Sequence, residues 1–249
     1  MPLAKVWGRP LSFEIGNLYR QGLPPPEKPW SGIPEFSFVG GNNDEANVPV
    51  AGLTEAAARV LQREGRRLAI YNLGGSPLGH EDLRNFVSDK LGIRAATTVE
   101  PDQVLITSGS LQALDLVNDL LLSPGDNVIV EEATYGGMLS RLHRLGVVVH
   151  GVRLDSDGVC PEHLREVLDR CVSEGRPAKY LYTIPTVQNP TGSCMPLERR
   201  LKILEVMDEY ETAIFEDDCY ADLLWGCARP PTLWERSEEH TSELQSPDH

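Results

Sequence analysis

Residues 180–220 read YLYTIPTVQNPTGSCMPLERRLKILEVMDEYETAIFEDDCY, and this stretch decides the fold. Two apolar runs, Tyr180–Ile184 and Thr212–Phe215, have the length and β-rich composition of buried strands, and a helical segment joins them. Each run ends in polar residues. The first is followed by Gln188-Asn189-Pro190-Thr191-Gly192, the second by Glu216-Asp217-Asp218-Cys219-Tyr220. Ligands of parallel α/β sheets bind beyond the carboxyl ends of the strands, so Asn189, Asp217 and Tyr220 are expected to converge on one ligand.

Upstream, the same alternation runs back to residue 103. Strand candidates are Gln103–Thr107, Asn127–Glu131 and Val147–Val152. Helical faces lie between them at Leu111/Leu114/Val117/Leu121 and at Met138/Leu139/Leu142/Leu145. A further helix, started by Pro161, carries Leu164, Val167, Leu168 and Cys171. This order predicts an α/β fold, a mostly parallel sheet with helices on both faces. Ser108-Gly109-Ser110-Leu111-Gln112 opens the first of these helices. Backbone N–H groups at a helix N-terminus, aided by serine hydroxyls, make an anion site. The strand ending at Glu131 leads to Tyr135, an aromatic plane suited to a flat ligand.

Ahead of this region, Ala51–Glu64 has a helical pattern, with Thr54 as expected N-cap and Gly65 just past its end. Tyr71 and a glycine-rich turn follow. Leu83, Phe86, Val87 and Leu91 then line a helix expected to stop at Gly92. Residues 1–49 are rich in Pro, Gly and Trp, with an expected short strand and turn at Phe36–Asn42, where Gly40-Gly41 permits close backbone approach.

The 249 residues carry a formal charge of −14 without a basic block, which argues against a nucleic-acid surface. No apolar run approaches the ~20 residues of a membrane span, and the N-terminus lacks a signal-peptide pattern. Five cysteines, odd in number and without a CxxC pair, argue against metal sites and disulfide frameworks and for a reducing cytoplasm.

Asn189-Pro190-Thr191-Gly192 followed by a strand ending Asp217-x-x-Tyr220 resembles the fold-type-I pyridoxal-phosphate enzymes, class I/II aminotransferases in particular. The resemblance implies pyridoxal 5′-phosphate as cofactor, an amino acid and a 2-oxo acid as substrates, and a homodimer. It assigns Asn189 and Tyr220 to the ring hydroxyl and Asp217 to the ring nitrogen. A carboxylate there favours the protonated ring, the better electron sink. It further assigns Ser108, Gly109 and Ser110 to the phosphate, Tyr135 to the ring face, and Gly41 with Asn189 to the edge of the substrate site. Tyr71 stands where relatives reach across the dimer to the neighbour's phosphate, and a packing role is equally open to it.

In the family, the Schiff-base lysine follows on the next strand, in a Ser-x-Ser-Lys turn. The lysines here are Lys5, Lys28, Lys90, Lys179 and Lys202, none at an expected strand end, so no catalytic residue is assigned. Residues 236–246, RSEEHTSELQS, resemble a translated sequencing-adapter string. The expected organisation is therefore an arm and part of a small domain (1–50), a truncated large cofactor domain (51–235) and a non-native tail (236–249), inactive as it stands. The family also inserts two later strands between those of Gln103–Thr107 and Thr212–Phe215. The first is thus expected to lack neighbours, the second to be an exposed edge, and the chain to be aggregated or molten. Three other readings stay open: a C–S lyase or decarboxylase of the same fold, the effector domain of a transcription regulator, and a nucleotide binder using Ser108–Ser110, although no GxGxxG is present.

Overall fold

The computed structural model describes residues 44–70, 76–95, 98–226 and 228–237. Compact units divide between Glu81 and Asp82. Gly41 and Tyr71 lie outside the described residues, as does the strand and turn expected at Phe36–Asn42.

The first unit contains helix α1, Val50–Glu64, which runs into a 3-10 turn at Gly65–Ala69. Its N-cap is Pro49, not Thr54. Thr54 lies one turn inside, where its hydroxyl donates to the Val50 carbonyl at 2.9 Å. Gly65 ends the helix in right-handed conformation, with φ −54°, so the left-handed freedom of glycine is not used there.

The second unit opens at the second residue of α2, Glu81–Ala95, which runs through Gly92. Among its described residues the buried ones are Arg84, Ser88 and Ala95, while Leu83 and Phe86 are exposed. Arg84 is what turns that face inward: its guanidinium reaches the Pro101 carbonyl at 2.8 Å and Asp102 at 3.2 Å. There follow α3 (Ser110–Leu121), β1 (Asn127–Glu131), α4 (Gly136–Leu145), β2 (Val148–Val152), a two-stranded hairpin of β3 (Leu154–Asp155) and β4 (Gly158–Val159), α5 (Pro161–Ser173), β5 (Ala178–Thr183), α6 (Leu197–Glu209) and β6 (Ala213–Glu216).

The main sheet has the order β2-β1-β5-β6, all parallel. Side chains alternate between its faces, as the pleat requires. Ile129 and Leu181 face a cluster with Leu164, Val167 and Leu168 of α5 and Ile203, Val206 and Met207 of α6. Val128, Val130, Tyr180 and Tyr182 face the opposite cluster, with Leu114 of α3 and Met138 and Leu142 of α4. Both faces of β1 are therefore covered and all five of its residues are buried, which explains the apolar run Val128-Ile129-Val130 at its centre. Full burial of each such side chain contributes about 1.5–3 kcal/mol.

The strand expected at Gln103–Thr107 is not formed. Pro101–Gln103 makes a 3-10 turn closed by reciprocal bonds between Glu100 and Gln103. Residues 104–107 run without a ladder partner among the described residues. A strand exists only against a neighbour, and none of the six stands beside this one. Among the described residues β6 pairs on one side only, with β5, and so stands at an edge of the sheet, as expected from the sequence.

Candidate cofactor site

Three strand ends and one helix start supply the candidate groups. β5 runs on through Ile184 and Pro185 into the loop that bears Gln188 and Asn189, and the Asn189–Pro190 peptide is cis. β6 continues past Glu216 into Asp217, whose N–H donates to the Thr183 carbonyl at 2.9 Å and so extends the ladder by one residue. Tyr182 and Phe215 are register partners, and their rings meet edge to face at 5.7 Å. Period-two alternation then puts Asp217 on the face of Phe215, beyond Tyr182. The Tyr182 hydroxyl donates to Asp217 Oδ2 at 2.7 Å.

Tyr220 closes the same corner. It packs partly buried against the cluster of Tyr180, Tyr182 and Ile184, as does Tyr135 at the N-cap of α4. Its hydroxyl lies within electrostatic range of Asn189, Asp217, Cys219 and Tyr135. Burial raises its pKa above the ordinary phenol value, and the neighbouring Asn189 amide works in the opposite direction. Cys219 stands two residues past Asp217. Its thiol is pushed up to about 11, by loss of solvent first and by the Asp217 charge second. A thiol so shifted is not nucleophilic at neutral pH.

The loop that carries Asn189 is tied to β1 by Glu131, which in the sequence is a plain strand end. Its buried carboxylate accepts from the Thr183 hydroxyl (2.6 Å), the Ile184 N–H (3.1 Å) and Gln188 Nε2 (2.7 Å). Burial raises its pKa, and these donors offset part of that rise. Gln188 Nε2 also donates to the Ala133 carbonyl, while Gln188 Oε1 accepts from the Thr191 N–H. An acid ending an otherwise apolar strand was the available signal, since a carboxylate at that depth needs several donors.

At the start of α3, Gly109 is the N-cap with φ +80°, a left-handed conformation that glycine adopts freely, and no side chain caps the helix. A Cβ at Gly109 would meet nothing within 4 Å. The Ser108 N–H donates to Gln112 Oε1 at 2.6 Å, so an oxygen acceptor already occupies one of the cradle's donors. Ser108, Gly109 and Ser110 are exposed. α3 lies on the sheet face that carries Tyr135 and Tyr220, through Leu114.

The donor set fits pyridoxal phosphate in kind. It has an acceptor-only carboxylate for a ring N–H, an amide and a phenol for a ring hydroxyl, an aromatic for the ring face, and an uncapped helix N-terminus with two serines for a phosphate. A cavity of about 570 Å³ is lined by Arg94, Ala221, Asp222, Arg229 and Glu235, among others. None of the seven described candidate residues lines it. Among the described residues no group of three or more His, Cys, Asp or Glu could hold a metal ion, and no helix is long and apolar enough to cross a membrane.

A polar strand-end corner of this kind, on a parallel sheet covered on both faces, defines a class of ligand-binding α/β protein. The family model for aminotransferase class I and II matches residues 39–244, and the chain belongs to that family. It is 38% identical over 205 residues to the 2-aminoadipate transaminase of Thermus thermophilus, covering 82% of this chain and 48% of that protein. Aromatic-amino-acid aminotransferase 1 of Thermococcus litoralis is 31% identical over 202 residues, covering 80% and 48%. Among solved structures, an α-aminoadipate aminotransferase of Thermus thermophilus, complexed with N-(5′-phosphopyridoxyl)-L-leucine, superposes with a TM-score of 0.72 at 36% identity. That match covers 82% of this chain and 49% of that one. The chain thus spans about half the length of the curated relatives it matches.

Proposed function

We propose that this chain carries the cofactor-holding corner of a pyridoxal 5′-phosphate-dependent aminotransferase, acting on an amino acid and a 2-oxo acid as a homodimer. The observation that carries the reading is the corner itself. Asn189 and Tyr220 are electrostatic neighbours there, and Asp217 stands just past the end of β6 with the Tyr182 hydroxyl on one of its oxygens.

In this reading Asp217 accepts the ring N–H, Asn189 and Tyr220 hold the ring hydroxyl, Tyr135 covers one face, and Ser108–Ser110 receive the phosphate. Bound there, the cofactor would supply an electron sink for the substrate's Cα. Asp217 keeps the ring nitrogen protonated, and Tyr135 excludes water from one side of it.

The lysines placed by the structure stand elsewhere. Lys90 is bonded to Asp222, Lys179 begins β5 near Asp126, and Lys202 lies on α6. We therefore expect reversible cofactor binding, no aminotransferase activity and no single borohydride-trapped lysine. The test is a titration of the chain at sub-micromolar concentration with pyridoxal 5′-phosphate, followed by absorbance and by fluorescence. Asn189→Ala and Asp217→Ala should each weaken binding about tenfold, the scale of a hydrogen bond to a charged group. Binding that ignores both substitutions overturns the reading.

A further inference from the structure

We propose that Tyr182 is a positioning residue for Asp217: its buried hydroxyl holds Oδ2 and leaves the other oxygen to face the ring nitrogen. The inference rests on the cofactor reading above and adds a residue to it.

Four observations carry it. Tyr182 is fully buried, on a central strand rather than on the site's loops. Its ring already packs against Phe215, so phenylalanine would satisfy the apolar contact alone. The hydroxyl instead reaches a carboxylate oxygen at 2.7 Å, a charge-assisted bond in a place where an unpaired hydroxyl is costly. Finally, Asp217 follows the last residue of β6, where the ladder fixes its backbone through Thr183 but leaves its side-chain torsions to other contacts. The Tyr182 bond restricts that rotation from within the core. A carboxylate with one oxygen held by a buried phenol presents its second oxygen in a fixed direction. That is what a linear bond to a ring N–H requires.

The test is a double-mutant cycle on the whole chain, with pyridoxal 5′-phosphate and its 1-deaza analogue, which carries C–H in place of the ring nitrogen. Tyr182→Phe should raise the dissociation constant for pyridoxal 5′-phosphate about tenfold, the scale of a hydrogen bond to a charged group. In an Asp217→Asn background the same substitution should change it less than about twofold, because coupled residues are not additive. Binding of the 1-deaza analogue should not respond to Tyr182→Phe at all. The same factor in both backgrounds and with both ligands would mean packing only and would overturn the proposal. A second variant, 3,5-difluorotyrosine at 182, keeps the ring and strengthens the donor. It guards against a folding defect of Tyr182→Phe, and a dissociation constant equal to wild type there also overturns the proposal. If instead Asp217→Asn leaves pyridoxal 5′-phosphate binding unchanged, the cofactor reading fails, and this inference with it.

Discussion

Gln188 Nε2 stands 2.7 Å from Glu131 Oε2, so the loop that presents Asn189 hangs from the end of a different strand. The tie is needed because the loop is strained. Val187 sits at φ +53°, a region that a β-branched residue adopts only under constraint. All the donors around Glu131 point at its two oxygens. Glu131→Gln would turn an NH2 group toward either Gln188 or the Thr183–Ile184 pair. We expect a loss of about 1–3 kcal/mol, the cost of an unsatisfied buried donor. A urea melt checks the stability. Pyridoxal phosphate binding should weaken in parallel, through Asn189, and unchanged binding would separate Glu131 from the site.

The same carboxylate gives a pH signature. Burial raises the Glu131 pKa above its ordinary 4.5, so the folded state holds its proton more firmly than the unfolded one. As pH rises through the ordinary value, the unfolded chain ionises first and is favoured. Stability of the wild type relative to Glu131→Gln should therefore be greatest in acid. It should fall as pH climbs from about 4.5 and level off above the raised value. Melting temperatures of both proteins, taken in the same buffers from acid to neutral pH, check the sign. A difference that grows with pH contradicts it.

Tyr135 owes its place to Gly137. A Cβ added at Gly137 would lie 2.4–2.5 Å from ring and hydroxyl atoms of Tyr135, so alanine there must displace the ring. Gly137→Ala should leave the fold intact, since only the end of a side chain has to move. It should still weaken ligand binding about as much as Tyr135→Ala, because both remove the same aromatic plane. Tyrosine fluorescence and the cofactor titration together report it. Full binding with a demonstrably moved ring would remove Tyr135 from the site.

How much of this is readable from sequence depends on range. β1, β5 and β6 announce themselves through apolar runs flanked by polar ends, because both sheet faces are covered around them. Asn189, Asp217 and Tyr220 follow from the rule that sites lie at strand ends, and the family resemblance gives them roles. Tyr182 looks like one more strand residue, since nothing local says that its hydroxyl meets a residue 35 positions later. Glu131 is likewise opaque, with partners more than 50 residues away. The Gln103–Thr107 run reads as a strand by composition and is unpaired because pairing depends on a neighbour. In α2, Leu83 and Phe86 have the right spacing for a core face. The buried side is set instead by Arg84, through carbonyl and carboxylate groups that periodicity does not see.

The edge at β6 supplies the last prediction. Its four residues pair with β5 on one side, and no strand lies on the other among the described residues. Ala213 is exposed on it, while Ile214 and Phe215 pack partly buried against the two clusters. A short apolar edge with unpaired N–H and C=O groups recruits further strands unless charge or proline blocks it. Apart from the terminal Glu216, this edge carries no charge, and it has no proline. The chain should therefore associate as its concentration rises, by strand addition at β6. Sedimentation velocity over a concentration series measures it. Ala213→Lys puts a charge on the edge without touching either cluster, and it should shift the distribution toward monomer with little change in melting temperature. A wild-type chain that stays monomeric throughout, with one cooperative transition, would show that β6 is covered and that the edge argument is wrong.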